Sequence, residues 1–260
     1  SYLNKRLKPL LFGGAFFFTF KNSYLTVNPM STQSQKIQSC LSVLEPLMTE
    51  KRKARYEEIL ENRTRHVAMV LEDVYQSRNT SAVMRSADGL GIQDIHMIES
   101  YNVWSKNRSV SKGASRWLTL HRHLGAEDPH GACVAKLRES GYRIVATSPH
   151  EGGYTPETLP IDKPIAIVMG TEFKGISSRL IPEVDDYVEI PMFGFSESFN
   201  ISVASAIVMN RVCARVREAG VDAGLSHDEK QYLRLQWAFR SVKRADLILE
   251  SSGLQMPIDQ

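Results

Sequence analysis

The chain has 260 residues, of which 42% are hydrophobic and 23% charged, so its composition is that of an ordinary globular protein. The formal net charge of +3 permits a polyanionic partner without requiring one. Three cysteines lie far apart, have no metal-ligand spacing, and indicate reduced thiols in an intracellular protein: Cys40, Cys133 and Cys213.

The first 29 residues differ from the rest of the chain. Lys5, Arg6 and Lys8 precede LLFGGAFFFTF, a pattern similar to a signal peptide, although the run is too short to span a bilayer. Three interpretations remain open: an organellar or secretory address, a membrane-surface anchor, or upstream sequence before a start at Met30. We favour the third, which predicts a cytoplasmic protein without stable membrane association. A genuine targeting segment would indicate an organelle instead.

Residues 30–62 show helical spacing. Ile37, Leu41 and Leu44 recur at intervals of three or four residues, and Pro46 is expected to break or kink the segment. The second half is basic and is either a solvated helix face or a phosphate-binding face. Its cations are Lys51, Arg52, Lys53 and Arg55.

Beyond residue 62, apolar runs alternate with helical patterns. The runs HVAMVL, DIHMIES, RWLTLHRHL, YRIVATS and IAIVMG predict strands, and a last strand is expected from Tyr187 to Pro191. Asn79 is expected to cap the helix after the first strand, and a later helix should end at Gly141. This alternation is typical of a parallel sheet covered on both faces, where ligands bind beyond the carboxyl ends of the strands.

His121 and His123 share one face of the strand RWLTLHRHL. A metal site would need a third ligand, and the sequence identifies none, so no metal is expected. The loop before this strand interleaves cations with tryptophans, a pattern that suits RNA and that a mobile surface loop shares. These residues are Trp104, Lys106, Arg108, Lys112, Arg116 and Trp117.

The stretch IPMFGFSESFNISVASAIVM, from Ile190 to Met209, predicts a strand end, a polar loop and a buried helix. Ser198 and Asn200 stand where the helix begins and are typical capping residues. The helix is expected to continue through RVCARVREAG. A second, basic helix is expected over SHDEKQYLRLQWAFRSVKRADLILES.

Three of the stretches that follow strands resemble a known family when taken together. The first is N-x-x-A-V-x-R-S-A from Asn79, the second is IVMGTEFKGIS, and the third begins at Ile190. In this order and at these spacings they closely resemble the three motifs of the SpoU/TrmH family of RNA ribose 2'-O-methyltransferases, in the SPOUT superfamily. The resemblance covers roughly residues 63–217.

The resemblance implies an α/β fold with a parallel sheet and a deep C-terminal trefoil knot, a rare exception to the rule against knots. It also implies S-adenosylmethionine as cofactor, bound in the knot, and a homodimer. The chain would then consist of a non-core leader or upstream sequence (1–29), a helical extension (30–62), a methyltransferase domain (63–217) and a C-terminal helical extension (218–260). Periodicity alone predicts only a plain doubly wound sheet.

By resemblance, Arg85 is the catalytic arginine. It acts either as a base or as an electrostatic stabiliser, since a guanidinium stays protonated in nearly every protein setting. Asn79 would position the RNA or Arg85, and Glu172 would hold Asn79, Arg85 or the adenosyl side. Ser198 and Asn200 match the third motif. The cofactor-lining positions are Thr147, Gly170, Gly175, Ile190, Met192 and Phe199, the last standing where the family usually has leucine.

Only about thirty-five residues lie between Met30 and the first strand, too few for the separate RNA-binding domain of ribosomal-RNA members. The helical extensions are most similar to those of the transfer-RNA enzymes that methylate guanosine 18 in the D-loop. The expected function is therefore that 2'-O-methylation of tRNA. The alternatives are another tRNA or rRNA nucleotide and a non-catalytic RNA-binding relative. Candidate phosphate contacts are Arg63, Arg65, Lys112, Arg116, Arg211, Arg215 and Arg217.

Overall fold

The computed structural model describes residues 11–12, 15–20, 23–26, 32–104, 113–148, 151–171 and 175–257. Among the predicted functional residues, Glu172 and Lys112 lie outside these ranges, as do Lys106 and Arg108. Three short strands near the N-terminus pair in an antiparallel sheet: β1 (Leu11–Phe12), β2 (Ala15–Phe20) and β3 (Ser23–Thr26).

The remaining strands are β4 (Val67–Glu72), β5 (Asp94–Ile98), β6 (Thr119–His123), β7 (Arg143–Thr147), β8 (Ile165–Met169) and β9 (Asp186–Val188). The α-helices are α1 (Thr32–Leu44), α2 (Glu50–Leu60), α3 (Ser77–Gly89), α4 (Pro129–Glu139), α5 (Ile201–Glu218), α6 (His227–Ser241) and α7 (Ala245–Ser251). Among the helices of the described ranges, none combines the length and the apolar character that crossing a bilayer requires.

The chain divides into two compact units, residues 1–48 with 231–260 and residues 49–230. In the first unit, α1 contacts α7, and the Gln33 side chain donates a hydrogen bond to the Pro257 carbonyl oxygen over 2.6 Å. The break expected at Pro46 is confirmed, since a short 3₁₀ turn separates α1 from α2.

The second unit contains a six-stranded sheet in which every neighbouring pair is parallel, in the order β6-β5-β4-β8-β7-β9. This confirms the predicted parallel α/β sheet. Along β4, Val67 and Met69 face the core shared with α3 and α5, whereas Ala68 and Val70 face the core shared with α4. Because both faces of the central strands are covered, these strands are apolar at successive positions.

Three predicted boundaries are wrong. The last strand ends at Val188, because beyond it the Glu189 amide donates to the Tyr154 carbonyl oxygen over 2.9 Å and so pairs with a loop. Asn79 does not cap α3: the helix begins at Ser77, and Asn79 is a buried residue of its first turn. The C-terminal helix is interrupted at Arg244, whose φ of 58° is left-handed and separates α6 from α7.

A polar layer of strand residues lies between the sheet and α4. The Asp94 carboxylate bonds to Nε2 of His121 over 2.9 Å, and Nδ1 of His96 lies 3.2 Å from Nε2 of His123. The His96 and His121 rings stack with their centroids 4.3 Å apart. Burial, and then the charge of His121, lower the pKa of His96 to about 3.

The low pKa of His96 predicts a loss of stability in acid. Between the folded-state pKa of about 3 and the ordinary value of 6.5, the unfolded chain binds a proton that the folded protein does not. The free energy of unfolding should therefore fall as the pH decreases through this window, on the order of a few kcal/mol. Urea unfolding at a series of pH values measures the slope, which His96→Leu should flatten. The same change at exposed His227 should leave the slope as it is.

Candidate active site

The predicted motifs follow strands that are neighbours in the sheet. The first motif follows β4, the second follows β8, the third follows β9, and Thr147 is the last residue of β7. In the sheet these strands are adjacent, in the order β4-β8-β7-β9. Because all of them are parallel, their carboxyl ends meet at one edge, which is where a ligand of an open α/β sheet binds.

A contact between two asparagines joins the first motif to the third. Asn200 is the N-cap of α5, and its Oδ1 accepts the backbone N–H of Ser202 over 2.9 Å. Its Nδ2 lies 3.4 Å from Oδ1 of Asn79, on α3. The capping role predicted for Asn200 is therefore confirmed. The same side chain also reaches a residue 121 positions away in the sequence.

Arg85 lies exposed on α3, and it forms no ion pair with another described residue. Its guanidinium is therefore available to a ligand, as a catalytic role requires. Ser198 is also exposed, in the loop before α5. Glu172, the remaining candidate of this group, lies outside the described residues.

Gly170 and Gly175 shape the loop after β8. The backbones of Thr171 and Gly175 exchange two hydrogen bonds, of 2.9 and 3.1 Å, and so close a tight loop. A Cβ atom at Gly170 would stand 2.3 Å from the carbonyl carbon of Gly175, and Gly175 has a φ of +66°. A side chain at Gly170 would displace the loop, and one at Gly175 would strain its backbone.

Glu72, a buried carboxylate absent from the sequence-based prediction, supports this loop. It is the last residue of β4, and its Oε2 accepts the Ser177 backbone N–H over 3.0 Å. Its Oε1 lies 2.9 Å from Nε2 of His130, which is also buried. The signal in the sequence was the acidic residue at the end of an apolar strand.

Asp73 organises the neighbouring loop after β5. It has a left-handed φ of 44°, and its Oδ1 accepts the backbone N–H groups of Ser100 and Tyr101, each over 2.8 Å. A longer bond of 3.2 Å comes from Asn102. Asp73 thus joins the loops that follow β4 and β5.

The predicted cofactor-lining residues lie along the same edge. Thr147 donates its hydroxyl to the Val168 carbonyl oxygen over 3.0 Å, which links the ends of β7 and β8. Ile190 and Met192 are half-buried, and Phe199 is exposed. The backbone from Ile190 to Phe199 forms no backbone hydrogen bond with another described residue, so its N–H and C=O groups can serve a ligand.

Two of the predicted phosphate contacts are engaged in the fold. Arg63 is buried, with its guanidinium paired to Asp88, and offers no surface to a phosphate, so this prediction is wrong. Arg215 donates to the Pro156 and Leu159 carbonyl oxygens over 2.9 and 2.7 Å and fixes the connection before β8.

The other described candidates reach solvent to different degrees. Arg65 is half-buried between Asp94 and Glu229. Three arginines remain more accessible. Arg116 lies over the Trp117 ring, Arg211 stands 3.7 Å from Glu157, and Arg217 donates to the Leu90 carbonyl oxygen.

A family model described as the SpoU rRNA methylase family matches residues 66–210, more than half of the chain. The chain belongs to the SpoU family. A tRNA (guanosine(18)-2'-O)-methyltransferase of Borreliella burgdorferi is 39% identical over 208 residues, which cover 80% of this chain and 94% of that protein. The enzyme of the same name from Escherichia coli K12 is 29% identical over 81% of this chain and 90% of its own length.

Solved structures agree with this assignment of the fold. The crystal structure of the Aquifex aeolicus TrmH/SpoU tRNA modifying enzyme superposes with a TM-score of 0.67 at 26% identity, covering 78% of this chain and all of that one. An AdoMet-bound rRNA methyltransferase from Sinorhizobium meliloti has a TM-score of 0.51 at 20% identity, covering 60% of this chain and 59% of that one. The second similarity supports the fold alone.

The two roles of Asn200 can be separated by substitution. Asn200→Asp keeps the acceptor for Ser202 and loses the donor to Asn79. We expect unchanged thermal stability, and methyl transfer reduced about fivefold to tenfold for the loss of one hydrogen bond. Asn200→Ala should also lose about 1 kcal/mol of stability with the cap. Full activity in Asn200→Asp would contradict a role for the asparagine contact.

Proposed function

We propose that this SpoU-family protein transfers a methyl group from S-adenosylmethionine to the ribose 2'-hydroxyl of guanosine 18 in tRNA. The observation that carries the proposal is the meeting of the first and third motifs through Asn79 and Asn200, with Arg85 exposed on the same helix as Asn79. The guanosine-18 methyltransferases of Borreliella burgdorferi and Escherichia coli, which align over nine-tenths of their length, support tRNA and this nucleotide as substrate.

The residues at the sheet edge fit the cofactor. Gly170 keeps the loop after β8 close to the strand ends, and the backbone from Ile190 to Phe199, which the other described residues leave without backbone hydrogen bonds, offers donors and acceptors to an adenine. Thr147, the last residue of β7, would contact the cofactor beside this loop. Glu172, which follows Thr171 in the sequence, would hold Asn79, Arg85 or the adenosyl group with its carboxylate.

The cofactor supplies an electrophilic methyl group on a sulfonium sulfur, which the ribose oxygen attacks as it loses its proton. Arg85 would stabilise the developing alkoxide and the adjacent phosphate, because a guanidinium remains charged at neutral pH. Asn79 would orient the ribose or Arg85, and Asn200 would hold Asn79 in place. Ser198, exposed before α5, would face the same reaction centre.

The RNA would lie across the accessible cations. We retain Arg116, Arg211 and Arg217 as phosphate contacts, since each reaches the surface of the second unit. Arg65 and Lys112 remain weaker candidates. We also propose residues 63–217 as the methyltransferase domain between helical extensions at 30–62 and 218–260. Membership of the SpoU family supports the deep trefoil knot in its C-terminal part.

A homodimer is supported by an apolar stripe at the start of α5. Phe199, Val203 and Ile207 follow one another at intervals of four residues and are all exposed. Phe193 and Phe195, in the preceding loop, are also exposed. Apolar area of this kind usually marks an interface. We place the protein in the cytoplasm, because its three cysteines are free and buried.

The decisive experiment maps the methylated nucleotide. Purified protein, labelled S-adenosylmethionine and unmodified tRNA should give methylation at guanosine 18, and a tRNA with 2'-deoxyguanosine at that position should accept none. Arg85→Ala should lower the rate by about 10²–10³, the usual cost of removing an electrostatic stabiliser. Lys163→Ala, an exposed cation at the opposite ends of the strands, is the control and should retain activity.

Arg85→Lys distinguishes the two mechanisms. If Arg85 acts electrostatically, the rate should fall while the pH–rate profile keeps its shape, and a shifted profile would instead identify Arg85 as the base. Methylation at another nucleotide would correct the substrate. Calorimetry that detects no binding of S-adenosylmethionine would favour the non-catalytic RNA-binding relative.

The dimer has a separate test. Ile207→Glu places a charge in the stripe and should convert the protein to a monomer, as measured by sedimentation velocity. Ile181→Glu changes a somewhat more exposed isoleucine outside the stripe and should leave the dimer intact. A dimer that survives Ile207→Glu would place the interface elsewhere.

A further inference from the structure

Three side chains that can bind a metal meet near the β6 edge of the sheet, opposite to the β9 edge that precedes the third motif. His96 comes from β5, His123 from the edge strand β6, and Cys133 from α4. One ligand atom of each lies within 4.8 Å of the other two. Within the cluster, Nδ1 of His96 is 3.2 Å from Nε2 of His123.

These separations are close to those in a tetrahedral zinc site. Zn–N bonds of about 2.0–2.1 Å and a Zn–S bond of about 2.3 Å place neighbouring ligand atoms roughly 3–4 Å apart. The two imidazole nitrogens already stand at such a distance, and the Cys133 sulfur lies within 4.8 Å of a ring nitrogen of each histidine. We propose that His96, His123 and Cys133 form a zinc(II)-binding site, with water as the fourth ligand.

The surroundings prepare the histidines as ligands. His96 and Cys133 are buried, and the His96 and His123 rings lie in nearly parallel planes, with an interplanar angle of 9°. Burial, and then His121, lower the pKa of His96 to about 3, so its imidazole is neutral at physiological pH. His121 does not join the cluster, because its Nε2 is held by Asp94 at 2.9 Å.

Two of the three ligands border open space, since His123 is half-buried and His96 lines a cavity. His96 lies in the wall of a cavity of about 520 Å³, together with Asp94, His121 and Lys136. A bound ion would tie the edge strand β6 to β5 and α4, which gives the site a structural role. The zinc site is separate from the proposed methyl-transfer site, because its three ligands belong to none of the three motifs.

Binding would release one proton. Burial, and then Glu72, raise the pKa of the Cys133 thiol to about 12, so the free protein carries a thiol that becomes a zinc thiolate and one H⁺. The N–H shared between His96 and His123 would move to the outer nitrogen of its ring by tautomerisation, without a change in proton count.

The test uses the full-length protein after treatment with a chelator. Titration calorimetry with zinc should give one site per chain and, across buffers of different ionisation enthalpy, one proton released. Cobalt(II) as probe should give a thiolate-to-cobalt charge-transfer band. Cys133→Ser should abolish the band and weaken zinc binding at least about tenfold. Cys213→Ser, a change at another buried free cysteine, is the matched control and should do neither.

The outcomes separate clearly. If the folded wild-type protein binds no zinc, or binds cobalt without a thiolate band, the proposal is wrong. Binding that Cys133→Ser leaves unchanged would place the metal elsewhere and would equally overturn it. If Cys133→Ser fails to fold, His123→Ala removes a half-buried ligand from the edge strand and should weaken zinc binding at least about tenfold, and unchanged binding in that variant would overturn the proposal.

Discussion

The burial of β4 and β8 on both faces is the constraint on which the rest of the second unit depends. These central strands have no exposed side for polar residues, so their polar functions are confined to their ends. The carboxyl end of β4 carries Glu72 and Asp73, and that of β8 carries Gly170. Because β7 and β9 are parallel to β8, the loops that follow them reach the same edge.

The two carboxylates after β4 connect the loops of the site to the sheet. Glu72 holds the backbone of Ser177, beyond the glycine loop, and Asp73 holds the loop that begins at Ser100. Neither residue needs to touch a substrate. Each satisfies backbone N–H groups that would otherwise be costly to bury, and so fixes loops whose own residues contact ligands.

Apolar runs predicted the parallel strands well, because complete burial leaves an unmistakable pattern in β4 and β8. The motifs predicted Asn79, Arg85 and Asn200 as site residues, and Asn79 and Asn200 are in contact in the folded protein. Hydrogen bonding that depends on tertiary structure could not be predicted. In the sequence, nothing distinguishes Arg63 from a surface arginine, and only the folded structure shows its ion pair with Asp88. In the same way, His96, His123 and Cys133 come together only when α4 packs on the sheet. The end of β9 likewise depends on Tyr154, which lies far from it in sequence.

The contact between Asn79 and Asn200 also bears on how the protein is made. The two residues are separated by 121 positions, and such non-local contacts slow folding because a long loop must close first. During synthesis, β4 and α3 leave the ribosome well before α5, which also covers one face of the central strands. The contact between the first and third motifs therefore cannot form until α5 has been made, whatever part of the chain has folded by then.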